Sequence, residues 1–448
     1  MTIAVTSSVA SPVGQAERIT LLDSLRGFAI LGILLMNIPS FAFSGVVGPD
    51  PFLLDESTLN YRIWYFVTLC MNGTQRALFS MLFGAGILLF VGRKEEKLAG
   101  LQPADYFFRR QLWLIALSLT DVFILLWEGD ILLDYSLIGM AMFAFRNLSP
   151  KGLIIGASIC LLFMLARENR DLYERKSIIA KGEAVAALDT TQVKLTTKQK
   201  DDLQAMIGFK KRVSKEGKLK RMKEDNDKVL GDYEAIYQHR TNNYVDSLVP
   251  YLFYGVWDVL IFMFLGMAFL KLGILTGDAS VRTYLLMAVI GLGIGLLLSY
   301  IRVQAFIDSK CNWFEFVKKA PLNHFNLDRV GRAIGILGVI MLLYKSGVFK
   351  WFFSMFRPVG QMALTNYLSQ SLICGFIFNG YGLGWFGKLQ RFEIYLVVLA
   401  IWTVQIISSN IWMRYFLYGP CEWAWRSATY WKRQPFVKGQ PHGPAVSL

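Results

Sequence analysis

Histidine is almost absent from this 448-residue sequence: there are three, His239, His324 and His442, and none falls inside a long apolar run. Each reads as a surface histidine rather than a catalytic one. The five cysteines, Cys70, Cys160, Cys311, Cys374 and Cys421, stand singly with no CxxC pair. That spacing indicates neither a disulfide framework nor a zinc site, and no metal is expected. Charge is also scarce, at 18% of residues, where a soluble surface normally needs about 25%. With 54% hydrophobic and 14% aromatic residues, the composition excludes a disordered chain, a collagen and an ordinary soluble globule. No internal repeat or low-complexity linker stands out.

What is abundant is apolar sequence. A helix needs roughly 20 mostly apolar residues to cross a bilayer core, and about ten runs approach that length. They lie at 27–46, 76–91, 112–127, 131–145, 152–166, 248–270, 284–301, 330–344, 359–378 and 394–416. The aromatic stretch 61–70 reads as an interfacial helix or an extension of the second run. Arg18 is the one basic residue ahead of Arg26, and no small-residue cleavage site follows the first run. That run is therefore expected to be a retained span and not a cleaved signal.

The net charge of +14 would suggest nucleic acid in a soluble protein. Here the basic residues sit between greasy runs, which reads as cytoplasmic membrane loops, and no nucleic-acid partner is expected. The loop 48–61 carries Asp50, Asp55 and Glu56 and no basic residue, whereas the next holds Arg93, Lys94, Lys97, Arg109 and Arg110. Glu128 and Asp130 mark the following turn, Arg146 and Lys151 the one after, and Arg426, Lys432, Arg433 and Lys438 the tail. The expectation is an all-α polytopic bundle of about ten transmembrane helices with both termini cytoplasmic.

Three regions follow. Residues 1–166 form an N-terminal transmembrane half, 167–246 an extra-membrane charged insertion, and 247–448 a C-terminal transmembrane half with a tail. In the insertion, 196–237 reads as one helix, with Thr197 as cap and Leu203, Met206, Ile207 and Val213 as a thin apolar stripe. A solvated helical hairpin is the plain reading, and a lipid-headgroup or nucleic-acid site is the alternative.

Ionisable residues are costly within a bilayer and mark either a function or a structural pair. Asp23 and Arg26 are spaced i, i+3, so they can pair, and Arg26 can also grip a phosphate of a cofactor or lipid. Asn37 lies eleven residues beyond Arg26, about 16 Å along a helix. Asp121 lies within the third run, and Asp130 and Asp134 follow it at i, i+4 spacing. That last pair can share a proton and do general acid or base work, or Asp130 can simply cap the next helix. Asp258 stands alone in mid-span, as a protonated acid, a partner for Arg329 or Arg332, or part of a proton path. Gln361, Thr365 and Ser369 form one i, i+4 row, with Asn366 and Gln370 beside it. Such rows tie helices together or line a substrate path. Gly291, Gly293, Gly295, Gly331 and Gly335 lie in spans with no preceding strand and suit close helix contact.

Three stretches resemble the YeiB-like family of bacterial inner-membrane proteins, a domain of unknown function. They are Leu22-Asp23-Ser24-Leu25-Arg26-Gly27 with Asn37-Ile38, the turn Trp127-Glu128-Gly129-Asp130-Ile131-Leu132, and the C-terminal pair Gly360-Gln361-Met362-Ala363-Leu364-Thr365-Asn366-Tyr367-Leu368 and Tyr418-Gly419-Pro420-Cys421-Glu422-Trp423-Ala424-Trp425-Arg426-Ser427. The resemblance spans the chain except the polar segment from Arg167, and implies a multi-pass protein of the bacterial inner membrane. That family is similar, more distantly, to transmembrane acyltransferases, which pass an acyl group from cytosolic acyl-CoA to a sugar or other acceptor. Asn37 stands where many bacterial O-acyltransferases carry a histidine.

The resemblance implies an acyltransferase-like protein that uses an acyl-CoA donor and a small-molecule, lipid or glycan acceptor. Arg26 and Asp23 would hold the donor, Asn37 would bond the reacting carbonyl oxygen, and Asp121 or Asp130 would act as base. The alternative is a transporter or flippase in which Asp258, Gln361, Asn366 and Gln370 line a polar path.

Overall fold

The computed structural model describes residues 19–54, 57–188 and 194–439, without the side chains of 251–254. Arg18, Asp55, Glu56 and His442 lie outside the described residues. Every regular element described is a helix. In chain order they are α1 (Thr20–Ala42), α2 (Thr58–Phe66), α3 (Thr74–Glu95), α4 (Gln102–Phe123), α5 (Leu132–Met142), α6 (Pro150–Ala186), α7 (Thr197–Val213) and α8 (Lys215–Val229). Then follow α9 (Tyr233–Lys271), α10 (Val281–Asp308), α11 (Trp313–Lys319), α12 (Phe325–Lys345), α13 (Lys350–Gln361), α14 (Ala363–Phe378), α15 (Arg391–Tyr415) and α16 (Pro420–Tyr430).

Each of the ten apolar runs lies mostly in helix, but among the described residues fewer than ten qualify as spans by length and composition. Thr20–Ala42, Thr58–Glu95, Pro150–Ala186, Val281–Asp308 and Arg391–Tyr415 do, and a sixth counts if Tyr233–Pro250 and Gly255–Lys271, bent by 70°, form one span. Leu132–Phe145 and Ala363–Phe378 are apolar but shorter. The third run belongs to α4, which starts at Gln102 and so carries Arg109 and Arg110 as helix residues, not loop residues. The stretch 61–70 joins α2 to α3 through a π-turn at Val67–Met71 and the left-handed Gly73 (φ 75°).

Lipid offers helices no hydrophobic drive to associate, so close packing and hydrogen bonds must hold a bundle together. Glycines supply the first. A Cβ on Gly27 would overlap the Phe356 carbonyl, and one on Gly360 the Asp23 carbonyl, which lets α1 and α13 touch backbone to backbone. Gly84 and Gly266 do the same where α3 crosses α9. Gly291 and Gly295 of α10 interlock with Gly331 and Gly335 of α12, whereas Gly293 faces open space. α1 sits at the centre, with Ile30, Leu34 and Ile38 fully buried.

The polar insertion departs from a solvated hairpin. α6 runs unbroken from its Ser149 cap through Ala186, so the apolar run and the start of the charged segment are one helix. The expected helix over 196–237 breaks twice. Ser214 accepts from Gly217 N and restarts the chain as α8, and Asp232 accepts from Ala235 N and starts α9. The cap of α7 is Thr196, in a reciprocal box with Gln199, and not Thr197. Met206 and Phe209 are buried against Leu172, Ile179 and Phe314, while Ile207 is exposed. α8 is bound to the bundle by Lys218 Nζ to Asp50 at 2.7 Å, by Asp225 accepting from Ser44 Oγ, and by Gly380 N donating to Val229 O at 3.0 Å.

Candidate functional site

Two cavities lie at opposite ends of α1. The first, of about 230 Å³, opens among Asp23, Arg26, Arg93, Arg110, Gln361 and Arg426 and is walled by Phe79, Phe83, Phe90, Leu89 and Leu114. Its floor is Ile131, Leu132 and Tyr367. The helix start of α1 places Asp23 and Arg26 one turn apart, and they pair at 2.9 Å. Gln361 Nε2 donates to the other Asp23 oxygen at 3.3 Å. Glu422, on α16, accepts from Leu364 N at 2.6 Å, Thr365 N at 3.1 Å and Thr365 Oγ1 at 2.6 Å. It thereby caps α14, whose first amides have no partner within their own helix. Burial pushes the Glu422 carboxyl above its ordinary range, against the opposing pull of its hydrogen bonds from Thr365 and Leu364.

The second cavity, of about 380 Å³, is lined by Asn37, Ser40, Ser44, Trp127, Glu128, Asp225, His239 and Arg240 among others. Its charges answer one another. Arg240, buried, pairs with Glu128 at 3.1 Å and donates to Asn379 Oδ1 at 3.3 Å. His239 Nε2 lies 3.8 Å from Asp225.

Between the two lies a buried carboxylate cluster. Tyr367 Oη donates to Asp130 Oδ1 at 3.2 Å and receives Ile131 N at 3.2 Å. Asp130 Oδ2 accepts from Ser118 Oγ, from Leu132 N at 3.0 Å and from Leu133 N at 3.2 Å. Asp121, with no exposed surface, lies beside Asp130 and Ser371, and neither of its oxygens has a well-formed hydrogen bond. The turn joining them places Leu126 at φ 60°, a left-handed conformation that a bulky residue rarely adopts. Trp127 stacks on Phe41 at 3.7 Å, and its indole Nε1 is buried without a partner.

Residues 269–432 match the family described as "Protein of unknown function (DUF418)". "Uncharacterized protein YxaH" of Bacillus subtilis (strain 168) is 31% identical over 439 residues, covering 94% of this chain and 96% of that protein. The chain belongs to the YeiB-like DUF418 family. "Uncharacterized protein YeiB" of Escherichia coli (strain K12) is 29% identical over 445 residues, 96% of this chain and 99% of that protein. No solved structure matches. The DUF418 region contributes Gln361, Tyr367, Glu422 and Arg426, one whole side of the first cavity.

This DUF418 chain gathers some of the sequence-predicted residues and scatters others. Asp23, Arg26 and Gln361 meet at the first cavity. Asn37 lines the second, so it does not share a void with Arg26. Asp130 does cap α5, but it does not pair with Asp134. Asp134 turns to Arg76 at 3.6 Å, and the carboxylate facing Asp130 is Asp121, brought back by the turn after α4. Asp258 pairs with Arg329 and lies 3.7 Å from Arg76, while Arg332 takes Asp328. Asp258 lines neither cavity.

The polar row from Gln361 to Gln370 is interrupted, because Met362 separates α13 from α14. Asn366 and Gln370 are helix ties rather than cavity linings: Asn366 Nδ2 donates to Ser409 Oγ at 3.1 Å and Gln370 Nε2 to Gln405 Oε1 at 3.0 Å, both on α15. Tyr367, Arg110 and Ser118 were missed, and so was His239. The first three sit in stretches whose periodicity reads as ordinary helix. His239 looked like a surface residue because nothing in sequence folds the insertion back over α1.

Proposed function

We propose that this protein is a membrane-embedded acyltransferase of ten helices that enter the bilayer, with both termini and the arginine-lined cavity at the cytoplasmic face of the bacterial inner membrane. The single observation that carries this reading is the first cavity. Cationic side chains surround its mouth, its walls are aromatic and aliphatic, and its floor is a tyrosine bound to a buried aspartate. The clustering of Arg93, Lys94, Arg110 and Arg426 at that end supports its cytoplasmic placement.

In this reading an acyl-CoA donor leaves its phosphates at Arg26, whose fork matches phosphate oxygens. Its apolar acyl end extends between Phe79, Phe83 and Leu114 toward Tyr367. An acceptor, a small molecule, lipid or glycan, enters from the second cavity, and the reaction requires that separate void to join the first past the Asp121–Asp130 pair, so that Asn37 can donate to the developing oxyanion. Two adjoining carboxylates share one proton, so the Asp121–Asp130 pair can take a second from the acceptor. The acceptor oxygen or nitrogen then bonds to the acyl carbon, the bond to the donor sulfur breaks, and the thiolate departs. His239 beside Asp225 is a second candidate base on the acceptor side.

The test is transfer of label from acyl-CoA into lipid and glycan extracts by the purified protein in proteoliposomes. Incorporation by wild type and its loss in Arg26→Ala are expected, and equal incorporation by both would overturn the assignment. The transport reading needs a polar path through Asp258, and the paired, cavity-free setting of that residue gives it no support.

A further inference from the structure

The first cavity carries more positive charge than its own acids answer. Its lining includes Arg26, Arg110 and Arg426 beside two carboxylates, Asp23 and Glu422. Asp23 is taken by Arg26 and Gln361, and Glu422 by the first amides of α14 and the Thr365 hydroxyl. Among the described residues, Arg110 meets only aromatic rings with its guanidinium, Trp425 at 3.9 Å and Phe90 at 5.0 Å. Arg426 lies over the Tyr418 ring at 4.6 Å, and its Nε is buried without a hydrogen-bond partner. Arg426 and Arg26 are both near enough to Arg110 to repel it. Unanswered like charges beside an apolar wall are costly, so the arrangement is complete only with an anion among them.

We infer that Arg110 and Arg426, together with Arg26, form a binding site for the phosphate of a ligand whose remaining body is apolar. A carboxylate brings one charge and two acceptor oxygens and would leave at least one of these guanidiniums unanswered. A phosphate monoester or diphosphate brings about two charges and three or more acceptors, which suits converging guanidinium forks. The frame is rigid: Trp425 Nε1 donates to Arg110 O at 2.8 Å, which pins α16 to α4, while Glu422 ties α16 to α14. The phosphate is clamped between α4 and α16, and the aromatic wall of Phe79, Phe83 and Phe90 receives the apolar body. The site deepens the acyl-donor reading by naming what would hold the donor's phosphate, but its test needs no catalysis.

The full chain, in neutral detergent and in phosphatidylcholine nanodiscs, is titrated with inorganic pyrophosphate. A parallel series incorporates phosphatidic acid, a lipid phosphate monoester, into the nanodiscs. Thermal midpoint and tryptophan fluorescence are read, with Trp425→Phe identifying the signal from the indole that Arg110 covers. Saturable stabilisation by pyrophosphate that weakens as salt rises is expected. The double variant Arg110→Lys with Arg426→Lys keeps the charge and the fold but loses the forks, and should bind at least tenfold more weakly. Pyrophosphate binding without a phosphatidic acid effect supports the site and identifies a soluble phosphate compound as its ligand. Stabilisation by phosphatidic acid that pyrophosphate does not displace supports the site with a lipid headgroup in it, and removes the acyl-donor reading. Pyrophosphate binding in a protein that transfers no acyl group likewise keeps the site and removes the enzyme. No response to either probe, or an undiminished response in the double lysine variant, overturns the inference.

Discussion

Two groups of buried carboxylates in this bundle are treated oppositely by their surroundings. Asp258 is met by Arg329 and Arg76 and lies in no cavity; Asp328 nearby is met by Arg302 and Arg332. Asp121 and Asp130 have hydroxyls, amides and each other, with no cation in ion-pair contact among the described residues; neither lines the first cavity, but Tyr367, which does, donates to Asp130. A buried charge matched by its opposite is a strut, since its cost is already offset. A buried acid whose partners are hydroxyls, one of them reaching a cavity, has a proton that can be exchanged. The lesson is that polarity within a span does not by itself separate structure from chemistry, whereas the company it keeps does.

That contrast can be broken. Asp258→Ala removes the acid that Arg329 and Arg76 share, Arg76 keeping Asp134, and should cost about 3–5 kcal/mol, seen as a large drop in thermal midpoint in detergent. A midpoint near that of wild type would mean Asp258 is no strut. Asp121→Asn should do the reverse, leaving the midpoint within experimental scatter while acyl transfer falls by roughly 10²–10⁴-fold. Equal loss of stability in both variants would erase the distinction.

Smaller effects sharpen it. Gly360→Ala forces α13 away from the Asp23 carbonyl and should cost about 1–3 kcal/mol, with donor affinity falling because Asp23 and Gln361 share that wall. Gly293→Ala, which meets open space, should leave both unchanged; a comparable loss there would show that the glycines act through something other than contact. Arg170→Ala removes an exposed pair with Glu174 and should shift stability by less than about 0.5 kcal/mol, a baseline for reading the buried pairs in the same melting assay.

Much of the architecture was legible in advance. An all-helical membrane bundle follows from runs of apolar residues with few charges, and the glycine contacts of α10 with α12 follow from small residues at helical spacing. The Asp23–Arg26 pair and the partnership of Asp258 with Arg329 were also within reach, because one is local and the other is forced by the expense of an unpaired acid. The span count was less legible. α4 and α12 carry enough charge, and α5 and α14 are short enough, that length and hydropathy alone do not decide how they meet the bilayer.

The site was legible only in pieces. Asp130 and Asp134 are neighbours by helical spacing, yet the turn through Leu126 brings Asp121 to Asp130 and leaves Asp134 to Arg76. Tyr367 reaches Asp130 across 237 residues, and no periodicity encodes such a contact. Beyond the break at Met362, the first amides of α14 are met by Glu422, a residue of another helix.

Composition and periodicity by themselves determined the class of this molecule, its helices, and which residues could not lie in lipid without a reason, because the cost of polarity in a bilayer acts residue by residue. Only the folded chain decided which of those residues meet. Cavities, ion pairs and shared protons arise between side chains far apart in sequence, and their free energy depends on a few ångströms of separation that local propensity does not specify. The tertiary structure therefore gathered the arginines around one void, folded His239 over another, and left Asp121 and Asp130 between them.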